Sequence, residues 1–101
     1  MTMPTHAQTA EALDATIRTM EASPGLDADA AARLAVHGDA NWTMPHGDTA
    51  DSLLYESVVD AIAYDHAPHL DADERYTAAE LSHEDALRAA RSAARRVHGY
   101  R

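Results

Sequence analysis

Ser82-His83-Glu84-Asp85-Ala86-Leu87-Arg88-Ala89-Ala90-Arg91-Ser92-Ala93-Ala94-Arg95-Arg96-Val97-His98-Gly99 reads as a helix with two unlike faces. Ala86, Leu87, Ala90, Ala93, Ala94 and Val97 recur at helical spacing and form one stripe, with Arg88, Arg91 and Arg95 opposite. Ser82 is a natural N-cap, Gly99 a natural stop, and the spacing predicts a helix over about 83–98. Arginines in its last turns suit the negative helix end. A stripe made mostly of alanine sets the class of fold. Such a face offers little apolar area but lets another backbone approach closely.

The rest of the 101-residue chain agrees with that reading. Alanine supplies 23 residues, whereas Leu, Ile and Val together supply 14 and Phe is absent. Burying an aliphatic side chain is worth roughly 1.5–3 kcal/mol, so a core this lean depends on close helix packing. Ala10, Leu13, Ile17 and Met20 share a face of a helix over about 6–22, ended by Ser23-Pro24-Gly25. On another face Asp14 and Arg18 stand four apart, close enough to pair. Asp27 caps a second helix, about 28–37, with Asp29 inside its first turn and Gly38 at its end. A third, about 49–66, is apolar on most sides and reads as the buried centre of a bundle. Asp71 and Glu74 have the form of a capping box and predict a short helix over about 72–81. The expected architecture is all-α: one compact domain spanning 1–101, with four to five helices and a central buried helix.

Two segment pairs hint at repetition. Thr9–Leu13 resembles Thr49–Leu53 at an offset of 40, and Pro24–Asp29 resembles Pro68–Asp73 at an offset of 44. Helix-capping grammar in an Ala- and Asp-rich chain is the leading explanation, with a duplicated helix–turn–helix unit, as in an α-repeat, the alternative.

Charge is divided unevenly. All 17 acids precede Ala86, while five of the eight arginines lie from Arg88 onward. Split after Leu87, the first part carries −14 and the tail +5, summing to −9. Lysine is absent, as in chains from GC-rich genomes, and an acidic Lys-poor surface also suits a salty cytoplasm. Cysteine is absent too, which removes disulfides, thiolate metal sites and a cysteine nucleophile. No apolar run approaches membrane-spanning length, and Met1–Thr9 lacks the pattern of a secretory signal. A cytoplasmic protein is the expectation.

The acids are the main candidates for function. Recurring every three to five residues on helices, they lie roughly 5–7 Å apart along the axis. One DNA strand carries a phosphate about every 3.4 Å, so such a surface loosely resembles a nucleic-acid backbone. The candidate acidic face is Glu11, Asp14, Glu21, Asp51, Glu56, Asp60, Asp65, Asp73 and Glu74. Glu56 and Asp60 are like charges four apart, a small cost that solubility alone does not require. Trp42, in the break Asp39–Gly47, is a candidate aromatic anchor, with Tyr55, Tyr64, Tyr76 and Tyr100 the other large side chains of that kind. Trp42 folding back to plug the core is the competing expectation.

Other chemistry finds less support. His66 and His69 flank Pro68, with Asp65 and Asp71 nearby, but a zinc or nickel site needs three or four convergent ligands. Asp27-Ala28-Asp29 and Asp71-Ala72-Asp73 lack the later ligands and turn glycine of a calcium loop. There is no G-x-S-x-G and no Gly-rich phosphate loop. The expectation is therefore no enzyme, no cofactor and no resident metal. The −14 body also opposes direct nucleic-acid binding, and the arginine helix is better read as pairing with that body, within one chain or across a dimer.

In size, acidity and lack of a catalytic motif the chain resembles the inhibitors that phages and mobile elements make against restriction and CRISPR systems. That resemblance is compositional, with no residue motif behind it. It implies a DNA-mimic mode of action: occlusion of a basic site on a larger, nucleic-acid-handling protein, by a monomer or homodimer, without membrane. The alternatives are a helical protein-interaction or regulatory module, dimeric or not, and a His/Asp metal-binding protein centred on His66 and His69.

Overall fold

The computed structural model describes residues 3–41 and 50–100. Four α-helices make up most of it: α1 (His6–Ala22), α2 (Ala28–His37), α3 (Ala50–His66) and α4 (His83–His98). A single 3-10 turn, Ala78–Glu80, precedes α4. The starts of α1, α2 and α4 have local causes. The Thr5 hydroxyl accepts from Gln8 N–H at 3.1 Å, and the Gln8 side chain accepts from Thr5 N–H at 2.8 Å. Asp27 accepts from Ala30 N–H at 2.7 Å, and Ser82 from Asp85 N–H at 3.2 Å. Gly38 ends α2 at φ 75°, a left-handed conformation that favours glycine.

The helices form a bundle in which each sequential neighbour is also a spatial neighbour. α1 packs on α2, α2 on α3, α3 on α4, and α4 returns to α1, with a smaller diagonal contact between α1 and α3. α3 meets all three other helices and the 3-10 turn, as expected of a helix apolar on most sides. Its outer edge still carries exposed Asp60 and Tyr64. The Cα radius of gyration is 12.4 Å, close to the ~13 Å typical of a folded chain of about 100 residues. No helix among the described residues is long and apolar enough to cross a membrane.

The core is as lean as the composition requires. Leu13, Met20, Val58 and Ile62 are its large, fully buried aliphatic side chains. Around them Ala10, Ala28, Ala31, Ala32, Ala90 and Ala93 are also inaccessible, which places backbones close together. Buried Thr16 donates its hydroxyl to the Ala12 carbonyl at 2.7 Å, so it enters the core without an orphaned group. On α4 the buried stripe includes Ala89, and Leu87 sits at its half-buried margin.

The helix predicted over 72–81 does not form. Asp71 and Glu74 close a turn, with Glu74 N–H donating to the Asp71 carbonyl at 2.9 Å. The capping box lies further on, at Thr77 and Glu80, where Thr77 N–H donates to the Glu80 carboxylate at 2.9 Å. The physical reason is in the residues. Of residues 72–81 only Ala78 and Leu81 are buried, too little apolar surface to hold a helix against the bundle. Instead Arg75 turns back and donates Nε to the Ala67 carbonyl at 3.0 Å. The second helix–turn–helix unit therefore departs from the first, which weakens the hint of repetition.

Candidate binding surface

The predicted acidic face divides into two groups. Asp14, Glu21 and Asp65 are engaged across helices by α4. His98 Nε2 lies 2.9 Å from Asp14 Oδ2, the partner Asp14 takes in place of the anticipated Arg18. Arg91 donates to Glu21 at 3.0 Å. Arg96 donates both Nε and Nη2 to Asp65 Oδ2, at 2.9 and 2.7 Å, while Ser92 donates its hydroxyl to Oδ1 at 3.1 Å. Arg88 stays on its own helix, 3.3 Å from Asp85. The basic helix is thus tied to the acidic body within one chain.

Six predicted acids stand apart from those interhelical pairs. Glu11 is exposed on α1, and Asp51 is exposed in the first turn of α3, beside Met3, Pro4 and Gln8. Asp73 and Glu74 are exposed in the turn before Arg75. Glu56 and Asp60 lie four apart on α3, and Tyr64 follows one turn later, so the three make a continuous ridge. These positions are spread over several elements, and a single acidic stripe is not formed.

Asp60 sits between two hollows. On one side is a cavity of about 330 Å³ whose walls include Val59 and Ala63 of α3, Arg75, Tyr76 and Thr77. On the other is a more open hollow of about 390 Å³ bordered by His6, Ser57, Tyr64, Arg96 and Tyr100. Burial pushes the Asp60 carboxyl above the usual aspartate value. Among the described residues none donates a hydrogen bond to Asp60.

The first cavity also reaches Tyr55 and Asp29. The Tyr55 hydroxyl donates to Asp29 and accepts from Arg33 Nε and Nη2 at 3.3 Å. Arg33 also bonds Asp29 at 3.0 Å. Burial first, then the hydrogen bond to Asp29, raises the Tyr55 phenol above its usual range and keeps it neutral. The i,i+4 spacing of Asp29 and Arg33 signals their pair, but the third member comes from another helix and has no sequence signal.

Aromatic rings and guanidinium groups cover the neighbouring surface. Arg75 and Arg96 each lie 4.9 Å from the Tyr64 ring centroid, and Arg96 lies 5.9 Å from that of Tyr100. Tyr76 meets the His66 ring edge-on at 6.3 Å. Tyr64, Tyr76 and Tyr100 remain 41%, 60% and 56% exposed. His66 is thereby placed against a tyrosine, and among the described residues no three His, Asp or Glu side chains converge as metal ligands. Trp42 lies outside the described residues. No family model, curated protein or solved structure matches this chain.

Proposed function

We propose that this chain is a small, non-enzymatic, acidic binding protein that occludes a basic surface on a larger nucleic-acid-handling protein. The setting is the cytoplasm, and restriction and CRISPR complexes are the first class of target. The observation behind this reading is the ridge Glu56–Asp60–Tyr64. It presents two like charges and an exposed aromatic, and its middle carboxylate is partly desolvated with no donor among the described residues. A cationic partner relieves that cost, and Tyr is among the residues enriched where interfaces hold most strongly. The α4 arginines support the same polarity. Arg91 and Arg96 are held by Glu21 and Asp65, so two of the α4 arginines are already engaged by the acidic body.

The test is inhibition of DNA binding by purified restriction and CRISPR effector complexes, measured with the full chain at low and high salt. Inhibition that weakens steeply with salt supports the reading. Glu56→Lys with Asp60→Lys should then reduce potency by at least about tenfold, equivalent to about 1.4 kcal/mol. Inhibition unchanged by the double reversal would exclude this ridge as the contact. No inhibition of any complex would remove the proposed target class.

A further inference from the structure

The molecule holds guanidinium groups in a recurring way. Arg33 lies 5.5 Å from the Tyr55 ring centroid and bonds Asp29 at 3.0 Å. Arg96 lies 4.9 Å from the Tyr64 centroid and bonds Asp65 at 2.7 Å. In each case one carboxylate and one tyrosine share an arginine. Asp60 and Tyr76 supply the same two groups to the wall of the 330 Å³ cavity, and among the described residues no arginine bonds Asp60. Arg75 lines that cavity too, but its guanidinium lies over Tyr64 and its Nε is engaged by the Ala67 carbonyl.

We infer that the cavity between Asp60 and Tyr76 is a receptor for a single arginine side chain of the basic partner. This rests on the reading above that the partner is basic. The volume is at the small end of ligand cavities, about 300–1,000 Å³, and suits one long side chain. Arginine is favoured over lysine by shape. A planar guanidinium can meet a carboxylate edge-on and an aromatic ring face-on at once, and it is more weakly hydrated than an ammonium. Arg75 in the cavity wall repels either cation, and lysine offers less stacking to offset that repulsion.

The experiment uses the full ¹⁵N-labelled chain and three blocked tripeptides: acetyl-Gly-Arg-Gly-amide and its lysine and citrulline counterparts. The arginine peptide should give saturable shifts at residues 59–63 and 75–79, with a Kd on the order of millimolar. Lysine should bind several-fold more weakly, and citrulline, which keeps the shape without the charge, should not bind. Asp60→Asn should abolish the shifts while leaving the remaining resonances in place, and Tyr76→Ala should weaken them several-fold. Absence of saturable shifts, an equal response to citrulline, or full binding by Asp60→Asn would overturn the inference. The tripeptides need no partner protein. A chain that binds arginine but inhibits no complex keeps the receptor and loses the proposed target; a chain that inhibits but ignores arginine does the reverse.

Discussion

The α1–α4 seam and the outer ridge of α3 use the same residue types to opposite ends. At the seam, alanines bring two backbones together, and Glu21 and Asp14 meet Arg91 and His98 across the join. On the ridge, Glu56 and Asp60 repeat one charge, and the neighbouring surface exposes tyrosines. Carboxylates at the seam complete the fold, whereas those on the ridge make no interhelical ion pair among the described residues. Total charge is therefore a poor guide to the surface field, and the useful quantity is the charge left over after internal pairing.

The comparison breaks first at the core. Leu13→Ala removes a fully buried side chain of α1 and should cost about 2–5 kcal/mol in denaturant unfolding. Tyr76→Ala, on the open side, should stay within about 0.5 kcal/mol. Equal losses at the two positions would mean that the open side also contributes to the fold.

Next in size is the link between α3 and α4. The Asp65 side chain is only 10% exposed and accepts from both Arg96 and Ser92. Asp65→Ala should cost about 1.5–3 kcal/mol, the range for hydrogen bonds to charged groups. The Arg91–Glu21 pair is half exposed at both ends, so Glu21→Gln should cost less than about 1 kcal/mol and vanish in high salt.

The smallest effect has the opposite sign. Asp60 has a raised folded-state value, so the folded chain holds its proton more tightly than the unfolded one. Ionisation of Asp60 therefore lowers stability as pH rises from the ordinary aspartate value through the raised one. Asp60→Asn should stabilise the protein at neutral pH, by no more than a few tenths of a kcal/mol because solvent screens an exposed group. The gain should disappear in acid below about pH 4, near the unperturbed aspartate value. A loss of stability at neutral pH would show that Asp60 has a favourable partner inside the fold.

The sequence is most readable where the cause is local. Asp27, Gly38, Ser82 and the alanine stripe act within a few residues, and the helices they bound appear where expected. Residues 72–77 were not readable in this way, because the acid pattern at Asp71 and Glu74 serves a turn as well as a helix start. What decided between them was Arg75 reaching a carbonyl eight residues back. The binding surface was half readable. Glu56 and Asp60 announce themselves by spacing, whereas the loss of Asp14, Glu21 and Asp65 to α4 depends on which helices become neighbours. The arginine–tyrosine stacks depend on it too.

That α4 buries alanines has a consequence for rotational register. A face of mostly short side chains has shallow ridges, so its packing resists small turns of the helix about its axis only weakly. Arg91 reaching α1 and Arg96 reaching α3 act on that rotation from two directions, as a key holds a shaft. The buried stripe sets which way the last helix faces, and these two ion pairs, one to each neighbouring helix, trim that rotation.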